Sequence, residues 1–596
     1  MNYSQELLTS VLWLLKTISI TAVLFTLLML GLIKTTRWGH QFWLLAYGYI
    51  SPKRSFKPLS YFIVIVFFNL VAVRVDILFS EWYKAMYDAL QKMDANVFWI
   101  QMVVFSVLAA VHIGNILLTY YFTQRFTIQW RTWLNANMVE KWTQNQAYYK
   151  SQYVYNQLDN PDQRIQQDVK SFVSSSLSFA TGVISSAVSI VAFTQILWTL
   201  SGPMTVAGIT IPHAMVYFVF IYVLVSSVIA FKIGRPLIHL NFANERLNAN
   251  YRYSLIRVKE YAESIAFFRG EKMEKSVLFK QFNHVIDNVW KMVYMTLKLS
   301  GFNVMMTQIS VIFPFIIQAS RYFSNQIQLG DLIQTAQSFG RVQSALSYFR
   351  NVYDDFTGYR AVLDRLTGFH TAITQATTEG HVVIKDSESA VIFDELFVKK
   401  PTGEVLIKAL NVHLLQGSSV LIKGPSGSGK TTLLRTIAGL WSFSEGTVYY
   451  PLNNALFLSQ KPYLPQGRLI DALYYPAVAP ENVDLNQAAE IMRQVQLGHL
   501  ADKLEQENDW TRVLSLGEQQ RLSFARVLIH KPFVAFLDEA TASMDEGLED
   551  AMYRLLREKL PNTTIISVGH RSTLQRHHQQ QLVINPEKKS WELLTS

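Results

Sequence analysis

The chain has 596 residues, half of them hydrophobic (50%) and 13% aromatic, while 16% are charged against about 25% in ordinary soluble domains. Its formal net charge of +10 suits nucleic acid or an anionic membrane surface, and because the basic residues flank apolar runs, the membrane is the expected partner and nucleic acid is not. With no cysteine in the chain, disulfides and thiolate metal sites are excluded.

Apolar runs long enough to cross roughly 30 Å of hydrocarbon lie near 11–33, 59–80, 97–122, 172–200, 211–233, 296–320 and 327–349, the last notably polar. Seven such runs in residues 1–350 argue against the buried core helices of a soluble protein. The first run is longer than a signal-peptide core and no small-residue cleavage site follows it, so a retained helix is expected. Between the first and second runs stand Lys34, Arg37, Lys53, Arg54 and Lys57 with no acid. That bias predicts a cytoplasmic segment and an outside N-terminus. Alternation then places 81–96 outside and 123–170 and 234–295 inside, with the C-terminal part also inside. The two inner stretches are rich in Gln, Asn, Arg and Glu and poor in Gly and Pro, which predicts helices continuing out of the membrane.

Polar residues inside such runs are costly to keep and are functional candidates. Ser174, Ser178, Thr181, Ser185 and Ser189 form a stripe suited equally to helix packing and to lining a cavity. Arg74 and Asp76 near the outer end of the second run either pair with other groups or form a gate, and pairing is the first expectation. In the last run Gln334, Gln337, Arg341, Ser344 and Tyr348 recur at three- and four-residue steps, which puts them on one helical face. Gln334, Gln337, Arg341 and Ser344 are the substrate-cavity candidates.

Residues 380–596 read as a soluble mixed domain. Gly424-Pro425-Ser426-Gly427-Ser428-Gly429-Lys430-Thr431 fits G-x-x-x-x-G-K-[ST], between the strand-like Ser419–Ile422 and a helix beginning Thr432-Leu433. Glycines let backbone N–H groups turn inward on phosphate oxygens at the positive end of a helix. Lys430 is expected on the β- and γ-phosphates and Thr431 on Mg²⁺. Val534-Ala535-Phe536-Leu537-Asp538-Glu539 is an apolar strand ending in two carboxylates. Asp538 would complete the Mg²⁺ shell, and Glu539 would polarise the attacking water as general base.

Further motifs carry a resemblance. Leu514-Ser515-Leu516-Gly517-Glu518-Gln519-Gln520-Arg521 resembles the ABC signature, usually LSGGQ followed by Q-R, and lies just ahead of the Asp538–Glu539 strand. Gln460 falls where the family's Q-loop glutamine falls, Ser543-Met544-Asp545 resembles the D-loop, and His570 matches the switch histidine. The chain is therefore identified as a member of the ABC ATPase family. The resemblance implies ATP and Mg²⁺ as ligands, Glu539, His570 and Gln460 in catalysis, and Thr431, Gln460 and Asp538 at the metal. It also implies nucleotide contacts from Gly424, Ser426–Thr432, Ser515 and Gly517. Leu516 and Glu518 depart from the commonest signature, and a carboxylate beside phosphate is expected to point elsewhere. Lys400 stands in the slot where many relatives stack an aromatic on adenine, which leaves Phe397 or loose base selectivity.

Asn160-Pro161-Asp162-Gln163-Arg164-Ile165 with Asp168, Glu263–Glu271, and Trp82–Gln91 resemble stretches of one branch. That branch holds SbmA/BacA-like peptide and cobalamin uptake proteins and the peroxisomal very-long-chain acyl-CoA half transporters. The resemblance implies an exporter-like bundle of six core helices plus one extra N-terminal helix, fused to an α/β ATPase domain. The expected boundaries are 1–58, 59–370 and 371–596. It further implies a homodimer in the bacterial inner membrane, in contact with lipid, importing cobalamin or peptides without an obligatory binding protein. Export of lipids, drugs or peptides, and an ATP-gated channel or regulatory membrane protein, are the alternatives.

Overall fold

The computed structural model describes residues 3–53, 55–154, 160–206, 209–378 and 381–595; Arg54, used in the orientation argument, lies outside them. The N-terminal helices, in chain order, are α1 (Tyr3–Thr35), α2 (Arg37–Ile50), α3 (Lys57–Gln91), α4 (Ala95–Thr143), α5 (Ala147–Val154) and α6 (Val169–Leu200). They are followed by α7 (Ala214–Glu260), α8 (Ala262–Phe268), α9 (Glu271–Phe323), α10 (Leu329–Asn351) and α11 (Tyr353–Thr378). The chain divides into two compact units, Met1–Met138 with Pro161–Gly368, and Val139–Asn160 with Phe369–Ser596.

In the helical unit, six helices among the described residues are long and apolar enough to cross a membrane: Gln5–Thr35, Lys57–Gln91, Ala95–Tyr153, Pro161–Leu200, Ala214–Glu260 and Glu271–Phe323. The seventh expected run does form a helix, α10, but its polar residues leave it short of that apolarity. α7 and α9 have 47 and 53 residues, roughly 70 and 80 Å at 1.5 Å per residue, so each far outruns the hydrocarbon. The expected extension over 234–295 is thus helical, broken only around the short α8.

α10 sits in the middle of this unit. Its Phe339 and Val342 join Val73 and Ile77 of α3, Phe193 and Leu197 of α6, and Val219 and Val223 of α7 in one buried cluster. α1 instead leaves Leu7, Leu12, Leu24 and Leu27 exposed, as a lipid-facing helix does. It is tied to α3 by Arg74, whose guanidinium donates to Ser10 Oγ (3.0 Å) and Glu6 Oε1 (2.7 Å). Asp76 pairs with Arg341 at 2.8 Å. Both charges of the second run are therefore paired, as expected.

Two of the branch-like stretches prove to be joints between helices. Asp88 Oδ1 accepts from Gly330 N (2.9 Å), Gln91 Oε1 from Leu329 N (2.7 Å), and Lys84 pairs with Asp331 (2.7 Å). The end of α3 thus caps the free N–H groups at the start of α10. Asp168 is buried and takes both a bidentate Arg365 (2.6 and 2.8 Å) and Arg164 (2.8 Å).

The second unit contains a larger and a smaller sheet, besides a two-residue antiparallel ladder of Gly467–Arg468 with Glu507–Asn508. Its strands are β1 (His381–Lys385), β2 (Ala390–Lys399), β3 (Val405–Leu415), β4 (Ser419–Lys423), β5 (Ser444–Tyr449), β6 (Ala455–Leu458), β7 (Val534–Asp538), β8 (Thr564–Val568), β9 (Gln580–Asn585) and β10 (Ser590–Thr595). The larger sheet runs β10-β9-β4-β8-β7-β6, parallel except for the β9–β10 edge pair. β8 is buried along its whole length and β7 up to Asp538, because helices cover one face of the sheet and the smaller sheet with the helix Lys430–Ile437 covers the other, which is why they read as unbroken apolar runs. The smaller sheet runs β1-β5-β2-β3. α5 packs here through Tyr153, whose ring meets Trp441 edge-on at 5.0 Å.

Candidate functional site

Ligands of open parallel sheets bind outside the C-terminal ends of the strands. The phosphate loop leaves β4 there, Asp538 and Glu539 end β7, and His570 follows β8. The loop depends on its glycines: Gly424, Gly427 and Gly429 have φ of 157°, 80° and 92°. A Cβ on Gly424 would also lie 2.7 Å from Ser428 Oγ and 3.0 Å from Ile584 O. The turn delivers the chain into α12 (Lys430–Ile437), with Thr431 and Thr432 in its first turn. Ser428 Oγ is buried and has no hydrogen-bond partner among the described residues. Lys430 Nζ curls into the loop, donating to Gly424 O and Pro425 O at 2.9 Å each. Burial pulls its pKa below the ordinary lysine value, against the opposing pull of Glu539 and Asp538.

The remaining polar groups converge on the two carboxylates. Thr431 Oγ1 donates to Asp538 Oδ1 (3.3 Å), Gln460 Nε2 to Glu539 Oε2 (3.0 Å), and His570 Nε2 lies 3.3 Å from Glu539 Oε1. Burial raises the Asp538 pKa and the Glu539 charge adds to it, while Thr431, Arg435 and Lys430 oppose the shift. Glu539 itself has φ 49°, a left-handed conformation rare outside glycine and typical of strained functional positions. Thr431, Asp538 and Gln460 supply the hard oxygens that suit Mg²⁺, which keeps most of its shell for phosphate and water.

Sequence reading missed the groups that hold this cluster in place. Buried Gln520 donates through Nε2 to Gln460 O (2.9 Å) and accepts from Ser543 N (3.0 Å), so it spans the Q- and D-loops. Arg571 donates to Met544 O (2.8 Å) and Ala542 O (3.3 Å), which ties the D-loop to the segment carrying His570. The Q-R after the signature was the only signal for Gln520.

Ser515 and Gly517 stand apart. Ser515 is the N-cap of α13 (Leu516–His530), and a Cβ on Gly517 would lie 3.0 Å from Ser543 O. Among the described hydrogen bonds none joins either residue to the phosphate loop. Glu518 bends back on its own helix. Its Oε2 accepts from Ser515 N (2.9 Å) and Ser515 Oγ (2.7 Å), and its Oε1 lies 3.0 Å from His499 Nε2. Although burial pushes the Glu518 carboxyl up, the Ser515 and His499 contacts hold it below the usual range. Lys400 is exposed and paired with Glu404 at 2.8 Å, and Phe397 lies half-buried in β2.

The substrate-cavity candidates do not share one open face. Gln334 is buried and Gln337 half-buried, whereas Arg341 and Ser344 are exposed. The face is split because α10 is packed on several sides, so Gln334 turns into the bundle with Thr335 and Ser338. Ser174 and Ser178 lie exposed on α6, and Ser174 and Thr181 return their hydroxyls to their own backbone. A separate cleft of about 360 Å³ lies between α6 and α11, lined by Ser171, Ser175, Ser178, Asp355 and Tyr359.

Comparison with known proteins agrees with this arrangement. Residues 45–323 match the ABC transporter transmembrane region 2 family and residues 407–542 the ABC transporter family. The chain is 57% identical over 594 residues to an uncharacterized ABC transporter ATP-binding protein of Haemophilus influenzae, covering 100% of both. It is 29% identical over 514 residues to the inner membrane ABC transporter ATP-binding protein YddA of Escherichia coli, covering 85% of this chain and 91% of YddA. In fold it is similar to a bacterial Atm1-family ABC exporter with ATP bound, at TM-score 0.69 and 16% identity over 90% of this chain and 96% of that one. The chain belongs to the ABC transporter family. It fuses a helical transmembrane domain to an ATP-binding domain, the arrangement of a half transporter.

Proposed function

We propose that two copies of the chain form an ATP-driven transporter of the bacterial inner membrane that imports a large hydrophilic solute such as cobalamin or peptides. The observation that carries the dimer is the separation of the signature from its own phosphate loop: Ser515 bonds to Glu518, while Lys430, Thr431, Gln460, Asp538, Glu539 and His570 form one cluster. A second copy completes each site. Residues 371–596 are the cytoplasmic nucleotide-binding domain, 59–370 the core transmembrane domain, and 1–58 an extra helix and connector with a periplasmic N-terminus. The acid-free basic segment after α1 and the inner-membrane relative support that placement.

In each site the loop N–H groups, Lys430, Ser426–Gly429 and Thr432 hold the phosphates, and Ser515 and Gly517 of the other copy close on the γ-phosphate. Thr431, Asp538 and Gln460 would hold Mg²⁺, which neutralises charge on the phosphates when bound. Glu539 takes the proton from the attacking water as the bond from γ-phosphorus to the leaving ADP oxygen breaks, while Gln460 and His570 orient the base and the γ-phosphate. Hydrophilic cargo is supported by the exposed Arg341 and Ser344. Export is the second reading, favoured by the likeness to an Atm1-family exporter.

Proteoliposomes with ATP on one side test this. Uphill accumulation of labelled cobalamin or peptide on the nucleotide side is expected, and it should vanish in Glu539→Gln protein that still binds ATP. Efflux from that side instead makes the chain an exporter, and mere equilibration makes it a channel.

A further inference from the structure

The signature differs from its commonest form at a residue that touches the signature serine. Ser515 caps α13, and Glu518, three residues on, completes a reciprocal capping box. Besides the usual bond to the Ser515 backbone, the carboxylate also accepts the Ser515 hydroxyl proton at 2.7 Å. A hydroxyl has one proton, and an ionised carboxylate can only accept. While Ser515 donates to Glu518, its oxygen offers only lone pairs, one of them already accepting from Glu518 N at 3.4 Å, and lone pairs repel a phosphate oxygen. The carboxylate is held in this pose from its other side by His499, which reaches Glu518 Oε1 at 3.0 Å from the turn Gly498–Lys503.

We propose that Glu518 is a positioning residue that restrains closure of the nucleotide sandwich: Ser515 must exchange its acceptor, from Glu518 to the γ-phosphate on the partner copy, each time the two ATPase domains close. His499 holds the restraint in place. This rests on the reading that Ser515 meets γ-phosphate across the dimer. A glutamine at 518 keeps the capping box, because its amide oxygen still accepts from Ser515 N. That oxygen takes the place of Oε2 and still faces Ser515 Oγ, but a neutral amide is a weaker acceptor than a carboxylate, so the serine proton passes more readily to phosphate, while the NH₂ takes the place of Oε1 beside His499.

The test uses the full-length protein in lipid nanodiscs. Glu518→Gln is expected to lower the ATP concentration for half-maximal hydrolysis about tenfold, with ADP affinity unchanged because ADP has no γ-phosphate. In a Ser515→Ala background the Glu518→Gln effect should shrink to under twofold. His499→Gln, which frees the carboxylate without touching Ser515, should lower the half-saturating ATP concentration by a smaller factor. Equal shifts for ATP and ADP, or an undiminished Glu518→Gln effect in the Ser515→Ala protein, overturn the restraint. If Ser515→Ala alone leaves ATP half-saturation untouched, the assignment of Ser515 to the γ-phosphate has failed first. Unchanged melting temperature in Glu518→Gln protein shows that the cap is intact.

Discussion

At the residue scale, two side chains show how local surroundings set chemistry. Glu539 combines a left-handed backbone with contacts from Gln460 and His570, so its carboxylate is aimed by strain and by two polar groups at once. His578 shows the structural counterpart. It is buried, lies 2.8 Å from Leu574 O and 2.9 Å from Ser567 Oγ, and burial lowers its pKa to about 4. The unfolded chain takes up that proton near pH 6.5, so stability is fully present above pH 6.5 and is lost as pH falls toward 4. The gap is worth about 3 kcal/mol. Acid titration of the unfolding transition should show a steep loss between pH 6.5 and 4 that is flatter in His578→Gln protein.

At the element scale, the α3–α10 joint is a closely specified contact of the helical unit. Gly330 N donates to Asp88, and a Cβ on Gly330 would fall 2.3 Å from Lys84 O and 2.4 Å from Asp88 Oδ1. Neither the backbone carbonyl nor the capping carboxylate can yield that distance without moving a helix end. Gly330→Ala should therefore destabilise the detergent-solubilised protein by about 1–3 kcal/mol. A lowered melting temperature would report it, and an unchanged one would mean that the joint relaxes freely. The same reasoning explains why the Trp82–Gln91 stretch looks distinctive in sequence. Trp82 donates to Gln101 O at 2.7 Å, and Lys84, Asp88 and Gln91 each bind the start of α10.

At the scale of the whole molecule, a single copy carries one phosphate loop and one signature, and the proposed sites form only between copies. Mixed dimers give a direct reading. A chain with Lys430→Ala and a chain with Gly517→Asp each leave both sites of their own homodimer broken. Paired together, they restore one complete site. With Glu539→Gln added to both chains, one ATP occluded per mixed dimer and none in either homodimer is the expected result. Absence of occlusion in the mixed dimer as well would place the signature on its own chain's nucleotide.

The local patterns were legible in sequence because each is a short-range demand of the backbone or of water exclusion. Glycines at positive φ made the phosphate loop readable, and unbroken apolar runs marked β7, β8 and six membrane-length helices. The length of α7 and α9 was legible for the same reason, since a polar stretch poor in Gly and Pro continues a helix, here even through Pro236. Burial of Gln334 beside an exposed Arg341 was not legible, because helical periodicity assigns residues to a face without saying what packs on it. The same holds for Gln520 and Arg571, whose partners lie 23 to 60 positions away, and for the left-handed turn at Glu539. Sequence determined which chemical groups this protein owns and the period at which they recur. Only tertiary packing decided which of them meet, because contacts distant along the chain are fixed by shape and by hydrogen-bond partners and not by spacing.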